Sequence, residues 1–157
     1  MPSLELPHTH ECFVCGESNP AGLRVRFVWE HNRVVARITL SEERCGYRGI
    51  AHGGVLSALL DETMGWAPAF AMRRMAVTAE MTVRFIKSVP IGVPLVVTGR
   101  FTADKRFFWQ CEGEICGEDG TLYVTGKGKY VPLSAERSAS IDYETLLYPE
   151  GQERIFV

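Results

Sequence analysis

One run of the sequence, GIAHGGVLSALLDETMGWA at residues 49–67, predicts a long apolar helix that carries two adjacent carboxylates. The pattern indicates a helix from near Gly53 to about Phe70 that must be covered by other parts of the chain. Burying an unpaired carboxylate costs stability or forces the group to take up a proton. We therefore expect Asp61 or Glu62 to serve a purpose other than packing.

Strand-like runs flank this helix on both sides. Residues 23–30 alternate apolar and polar side chains, residues 31–32 favour a turn, and residues 33–40 are typical of the hairpin partner. Four more such runs follow the helix, at residues 75–86, 94–103, 106–116 and 121–131. A single helix cannot provide the crossovers of a parallel sheet for these consecutive strands. The sequence therefore predicts an α+β fold in which one antiparallel sheet curls around one long helix.

The chain is expected to form one domain over residues 1–157. Its 157 residues, 46% of them hydrophobic and 23% charged, have the composition of an ordinary globular domain. We expect the core at about residues 12–131 and a C-terminal tail at 132–157, in which residues 142–147 favour a short helix. Pro68 is expected to kink or shorten the end of the long helix.

Charge and hydropathy exclude several classes of partner. The net charge of −2 offers no basic excess, so neither nucleic acid nor a membrane surface is an expected partner. No apolar run is long enough to span a bilayer, and the N-terminal residues do not resemble a signal peptide. The five cysteines, an odd number, are expected to be reduced thiols. Together these features predict a cytoplasmic protein.

The two carboxylates face different neighbours, because adjacent helical residues point about 100° apart. The residues one or two turns from Asp61 are all small: Gly54, Ser57, Ala58 and Gly65. The matching set for Glu62 is mostly bulky: Val55, Ala58, Leu59 and Trp66. Room for a ligand or a second chain therefore favours Asp61 as the reactive group. The alternative is that either carboxylate forms an ion pair with an arginine such as Arg84.

The start of the helix is a candidate site for stabilising negative charge. A helix N-terminus presents N–H groups without partners and the positive end of the helix dipole, and glycine lets a ligand approach that backbone closely. The alternative is that Gly53 and Gly54 only allow close packing on the sheet. Gly53 and Asp61 lie ~12 Å apart along one helix. One reacting bond cannot contact both groups. If both take part in the reaction, they therefore come from different chains.

Two segments, HGGVLSALLDE (52–62) and VTAEMTVRFIKSVPIG (77–92), resemble the helix and the following strand of hotdog-fold acyl-CoA thioesterases, the group that includes phenylacetyl-CoA and 4-hydroxybenzoyl-CoA thioesterases. A third, CFVCGESNPAGL (12–23), resembles the opening of another branch of the same superfamily. The resemblance implies a hotdog fold, acyl-CoA as substrate, active sites at a dimer interface, and no metal or redox cofactor. It assigns the catalytic carboxylate to Asp61, the amide that polarises the thioester carbonyl to Gly53, and a positioning hydroxyl to Thr78.

Three more residues, His52, Gly54 and Glu62, are expected to line the substrate-binding part of this site, with His52 orienting the turn. The assembly is expected to be a dimer or a dimer of dimers. Some relatives carry Asn or Gln six residues before the histidine, where this chain has Gly46. That departure keeps open the alternative of a protein that binds acyl-CoA without turnover. A second alternative is an acyl-thioester dehydratase or hydratase, which uses a histidine with a carboxylate.

The run HTHECFVC, at residues 8–15, suggests a metal site because it holds His8, His10, Cys12 and Cys15. Two cysteines and two histidines can hold a tetrahedral zinc ion. The spacing is not that of a standard structural zinc site, and the resemblance needs no metal. The sequence therefore favours Cys12 and Cys15 as residues that pack in a turn before the first strand.

Overall fold

The computed structural model, which describes residues 3–156, contains nine strands and two α-helices. They follow the chain as β1 (Leu4–Glu5), β2 (His8–Thr9), β3 (Phe27–Glu30), β4 (Arg33–Thr39), α1 (Gly53–Met72), β5 (Ala76–Phe85), β6 (Pro94–Asp104), β7 (Trp109–Gly117), β8 (Leu122–Pro132), α2 (Ala135–Thr145) and β9 (Leu146–Leu147). Neither helix is long and apolar enough to cross a membrane, as far as residues 3–156 are concerned.

The predicted arrangement of one long helix on one antiparallel sheet is confirmed. Seven strands pair in the order β1-β3-β4-β6-β7-β8-β5, and every pairing is antiparallel. Helix α1 packs on one face of this sheet, mainly against β6 and β7. The strand that follows the helix, β5, pairs with β8 rather than with β6, so it forms one edge of the sheet.

Three glycines in neighbouring strands let α1 lie very close to the sheet. Gly99, Gly113 and Gly126 stand directly opposite one another in β6, β7 and β8. A Cβ atom on Gly99 would lie 2.4 Å from the carbonyl oxygen of Thr63 in α1. A Cβ atom on Gly113 would lie 2.8 Å from the Met64 side chain. These three glycines, the glycine track, therefore fix the middle of the helix on the middle of the sheet.

Most predicted elements are confirmed, and three boundaries differ. Helix α1 continues past the buried Pro68 to Met72, where Arg73 ends it in the left-handed conformation. The strand predicted at residues 23–30 starts only at Phe27, as β3, because Arg24 has φ 55° and interrupts the extended run. The tail helix covers Ala135–Thr145 instead of residues 142–147, since the Ser134 side chain caps it.

Strand β5 does not keep the single alternation that its sequence indicates. A bulge between Thr78 and Glu80 shifts the register against β8. Thr78 therefore faces the helix, while Val77 is 52% exposed on the other side. Beyond the bulge, Met81 packs against the core. One extra residue thus turns a polar hydroxyl toward α1 without losing the apolar contacts further along.

The glycine track gives a direct test of helix docking. Alanine normally stabilises a strand relative to glycine, but a Cβ at Gly99 would overlap helix backbone that cannot rotate away. We predict that Gly99→Ala lowers the free energy of unfolding by about 1–3 kcal/mol, measured by urea denaturation. The matched control is Arg100→Ala on the exposed face of the same strand, with a change within about 0.5 kcal/mol. Equal or greater stability of Gly99→Ala would contradict the close docking.

Candidate active site

The first turn of α1 leaves one backbone amide free. His52 caps the helix, and its Nδ1 accepts a hydrogen bond from the Gly54 N–H at 2.9 Å. The next two amides, of Val55 and Leu56, both donate to the His52 carbonyl oxygen. Within residues 3–156, the Gly53 N–H has no hydrogen-bond acceptor. It is therefore the first-turn donor that remains for a ligand.

The space beside Gly53 is bounded by an aromatic ring. A Cβ atom on Gly53 would lie 3.3 Å from the Phe85 ring at the end of β5. The loop residue Gly46 is also close, since its own Cβ would lie 3.3 Å from His52. At this helix end, where a ligand would need to approach the backbone, two glycines therefore supply the space.

Two hydroxyl groups hold the Asp61 carboxylate. Thr78 Oγ1 in β5 donates to Asp61 Oδ1 at 2.8 Å. The Tyr130 hydroxyl in β8 lies 3.1 Å from the same oxygen and 2.9 Å from the Asp61 carbonyl oxygen. Both contacts fall on Oδ1, and neither reaches Oδ2. The carboxylate is thus oriented while one of its oxygens stays available.

The Tyr130 side chain fits only because two glycines give it room. A Cβ atom on Gly65 of α1 would lie 3.2 Å from the Tyr130 ring, and one on Gly128 would lie 2.5 Å away. Burial, together with the neighbouring Asp61 charge, raises the pKa of the Tyr130 hydroxyl. The phenol therefore keeps its proton and acts as a donor.

Glu62 points to a different part of the molecule. The Cys12 thiol donates to Glu62 Oε2 at 3.1 Å, and Cys15 lies in the same cluster. Burial raises the pKa of the Glu62 carboxyl to about 8. A hydrogen bond from the Cys15 thiol lowers the pKa of Cys12, and the same contact raises the pKa of Cys15. The two adjacent carboxylates therefore occupy separate environments, as the helix geometry predicts.

The ion-pair alternative for the two carboxylates is wrong. Among residues 3–156, neither Asp61 nor Glu62 forms an ion pair. Arg84 instead lines a polar groove on the face of the sheet away from the helix. Among the same residues, the Asp61 carboxyl group has only hydroxyl groups as hydrogen-bond partners.

Two cavities adjoin these residues. The first, of about 250 Å³, is lined by Thr9, Cys12, Asp61, Glu62, Gly65, Trp66, Ala69, Met75, Ala76, Thr78, Tyr130, Ile141 and Leu146. The second, of about 560 Å³, is lined by Gly46, Tyr47, Ile50, Ala51, His52, Gly53, Leu56, Phe85, Ile86, Lys87, Ser88 and Val89. Asp61 thus lies in one cavity of the chain and Gly53 in the other, which agrees with their separation along α1.

The histidines of the N-terminal run are not beside its cysteines. His8 and His10 lie 3.2 Å and 3.6 Å from the carboxylate oxygens of Glu17. The alternative of a site formed by two histidines and two cysteines, which the sequence did not favour, is therefore wrong. Cys12 and Cys15 instead face the helix.

The sequence did not single out Tyr130. Nothing in the run TLYVTGKGKYV separates this tyrosine from an ordinary core residue, and only the fold places its hydroxyl on Asp61.

The basic residues near the site differ in what their side chains contact. Arg44 and Arg74 donate to the carbonyl oxygens of Gly22 and Leu133, whereas Lys87 lines the cavity that contains Gly53.

Comparison with known proteins confirms the resemblance. The family model "Thioesterase superfamily" matches residues 48–124, which include α1 and β5 to β7. The crystal structure of a thioesterase superfamily protein, RHA08564, is 28% identical with a TM-score of 0.73, and it covers 78% of this chain. This chain in turn spans only 60% of that protein's length. No curated protein sequence matches the chain.

Two further structures share the fold at lower identity. The PaaI protein of E. coli, from the phenylacetic acid degradation operon, is 18% identical with a TM-score of 0.65, covering 71% of this chain and 81% of its own. The smu.793 protein of Streptococcus mutans, bound to acetyl CoA, is 21% identical with a TM-score of 0.62, covering 68% and 85%. The α+β hotdog fold predicted from the sequence is therefore confirmed.

The hydrogen bond from Tyr130 should contribute measurably to stability. We predict that Tyr130→Phe lowers the free energy of unfolding by about 1–2 kcal/mol, because a buried donor to a charged group is lost. The control is Tyr143→Phe, at a side chain that is 79% exposed, with a change below about 0.5 kcal/mol. Chemical denaturation measures both variants. Indistinguishable stabilities would show that the contact with Asp61 is not formed.

Proposed function

We propose that this chain, which has the hotdog fold and matches the thioesterase superfamily over residues 48–124, hydrolyses acyl-CoA thioesters to a free acid and CoA. The observation that carries the proposal is the Asp61 carboxylate, oriented by Thr78 and Tyr130 at the wall of a cavity. The CoA ligand is supported by a structural relative bound to acetyl CoA.

The reaction needs two groups on opposite sides of the thioester carbonyl. The Gly53 N–H, which has no acceptor among the residues that the structure describes, would donate to the carbonyl oxygen as negative charge develops there. Asp61 would supply the electron pair for attack on the carbonyl carbon, directly or through a water molecule that it deprotonates. In both routes one water molecule is consumed and the thiol of CoA leaves.

The two groups cannot act on one bond within a single chain. Gly53 and Asp61 belong to the same unbroken helix, so their separation along its axis is roughly 12 Å. Reacting atoms must approach to about 3–3.5 Å. We therefore propose that each site combines Gly53 of one chain with Asp61 of a second copy.

Strand β5 offers the surface for that assembly. It is a ten-residue edge strand whose outer backbone groups face no other strand within residues 3–156, and such edges pair readily with another chain. Its end carries the exposed apolar side chains of Phe85 and Ile86, at 52% and 46% exposure. A second copy of the chain would cover these groups.

Antiparallel pairing of two β5 strands also brings the two groups together. Phe85 contacts the position of Gly53, and Thr78 binds Asp61. If a two-fold axis crosses β5 midway between residues 78 and 85, Phe85 of one copy lies beside Thr78 of the other. Gly53 and Asp61 from different chains then meet at each of two equivalent sites. The proposed assembly is this dimer, alone or as half of a dimer of dimers.

The cavities give each part of the substrate a place. We propose that the acyl group occupies the cavity of about 250 Å³ beside Asp61, which Glu62 also lines. The CoA portion would pass His52 and Gly54 and run through the larger cavity. There Lys87 supplies a positive charge for phosphate.

Two alternatives to hydrolysis differ from it in their products. A hydratase or dehydratase leaves the thioester intact, and a binding protein releases nothing, so thiol release distinguishes hydrolysis from both.

The cytoplasmic location expected from the sequence remains a prediction.

Thiol release tests the proposal. We predict that the protein releases CoA from acyl-CoA and that Asp61→Asn lowers kcat by about 100-fold or more, because general-base or nucleophilic assistance is lost. A chromogenic thiol reagent measures release with acetyl, long-chain and aromatic acyl-CoAs. The matched control is Glu80→Gln, on the sheet face away from Asp61, where the side chain only pairs with Lys129.

Three outcomes would contradict this assignment. Binding of acyl-CoA with no thiol release by the wild type would show a non-catalytic binding protein. Full activity of Asp61→Asn would remove Asp61 from the mechanism. Loss of activity in Glu62→Gln with full activity in Asp61→Asn would assign the role to the neighbouring carboxylate.

A further inference from the structure

We propose that Cys12, Cys15 and Glu62 bind a zinc ion that joins the N-terminal turn to helix α1. The side chains come from two distant parts of the chain, and one donor atom from each lies within 4.8 Å of the other two. Two thiolates and one carboxylate are ligands that Zn²⁺ accepts. The inference concerns residues that the hydrolytic proposal does not use for attack on the thioester.

The cysteines already lie in a turn that directs both sulfur atoms to one point. The Gly16 N–H donates to the Cys12 carbonyl oxygen at 2.8 Å, which closes the turn. A Cβ atom on Gly16 would lie 2.4 Å from that oxygen, so only glycine fits there. The Val14 N–H donates to Cys12 Sγ at 3.2 Å. A backbone N–H that donates to a sulfur atom orients that sulfur toward a metal ion.

The third ligand comes from the helix. Cys12 Sγ lies 3.1 Å from Glu62 Oε2. In a tetrahedral zinc site the ligand atoms are about 3.6–3.8 Å apart, given the usual zinc–sulfur and zinc–oxygen bond lengths. Small side-chain rotations would therefore admit the ion. Binding releases the two thiol protons to solvent and transfers no electron.

A zinc ion would also account for the position of Glu62 beside Cys12 and Cys15. Glu62 has no cationic partner among residues 3–156, although its side chain extends from α1 to the N-terminal turn. A divalent cation would take this carboxyl group as a ligand. Cys12 and Glu62 line the cavity that holds Asp61, so the fourth position of the ion would open toward that cavity and take water.

The nearby charges are compatible with an ion of this kind. Two thiolates and a carboxylate leave one negative charge after Zn²⁺ is bound. The Arg26 guanidinium donates to the Cys15 carbonyl oxygen at 2.9 Å and offsets part of that charge. The histidines do not compete, because His8 and His10 lie against Glu17.

Metal content and a cobalt spectrum test the inference without any activity assay. Full-length protein is stripped with a chelator under reducing conditions, loaded with Zn²⁺ or Co²⁺, and passed through a desalting column. We expect about one metal ion per chain by mass spectrometry. The Co²⁺ form should show sulfur-to-cobalt charge-transfer absorption and the strong visible bands of a tetrahedral site.

The variants separate this site from the other thiols. Cys12→Ser and Glu62→Gln should lower zinc affinity by about tenfold or more. Cys45→Ser, at an exposed free cysteine, should bind as the wild type does. Circular dichroism checks that each variant is folded, and Glu62→Gln keeps the shape of the side chain if a cysteine variant unfolds.

Three results would overturn the inference. They are the absence of metal on the loaded wild type, equal loss in Cys45→Ser and Cys12→Ser, and a Cys12–Cys15 disulfide that forms while Zn²⁺ is present in excess. Thiol release through Asp61 is measured separately, so failure here leaves the hydrolytic proposal standing and the reverse also holds.

Discussion

The close contact between helix α1 and the glycine track is the constraint on which the rest of the structure depends. Because Gly99, Gly113 and Gly126 have no side chains, the backbone of α1 at Thr63 lies directly on the sheet. This contact fixes both the depth and the rotation of the helix. Rotation in turn decides which carboxylate meets β5 and β8 and which meets the N-terminal turn. A helix held further away would leave the Tyr130 hydroxyl out of reach of Asp61.

Helix α1 places its two adjacent carboxyl groups, Asp61 and Glu62, in two different environments. Asp61 lies within hydrogen-bond distance of the hydroxyl groups of Thr78 and Tyr130, which orient its carboxyl group. Glu62 is more deeply enclosed, and burial raises its pKa. Among residues 3–156, the hydroxyl groups contact only Oδ1 of the Asp61 carboxyl group, whereas thiol groups lie beside Glu62.

The sequence alone could predict the element order and the different surroundings of Asp61 and Glu62, and the reasons are local. The alternation of apolar and polar side chains predicts most of the strands. The small residues on one side of α1 predict space around Asp61. The strand at residues 23–30 was predicted too long, because a left-handed Arg24 leaves no mark in the hydropathy pattern. The bulge in β5, the contact of Tyr130 with Asp61 and the cluster of Cys12 with Glu62 all depend on pairing between distant segments. No local pattern contains that information.

Each proposed active site is shared by two chains, and dimers of two different variants test this sharing. Gly53→Pro removes the free N–H but suits the first helical position, since His52 before it is extended with ψ 131°. Dimers of Gly53→Pro alone and of Asp61→Asn alone should both be inactive in thiol release. A purified heterodimer of the two, selected by different affinity tags, has one site with both native groups and should recover about half of the wild-type rate. A heterodimer as inactive as its parents would show that Gly53 and Asp61 do not act together across the interface.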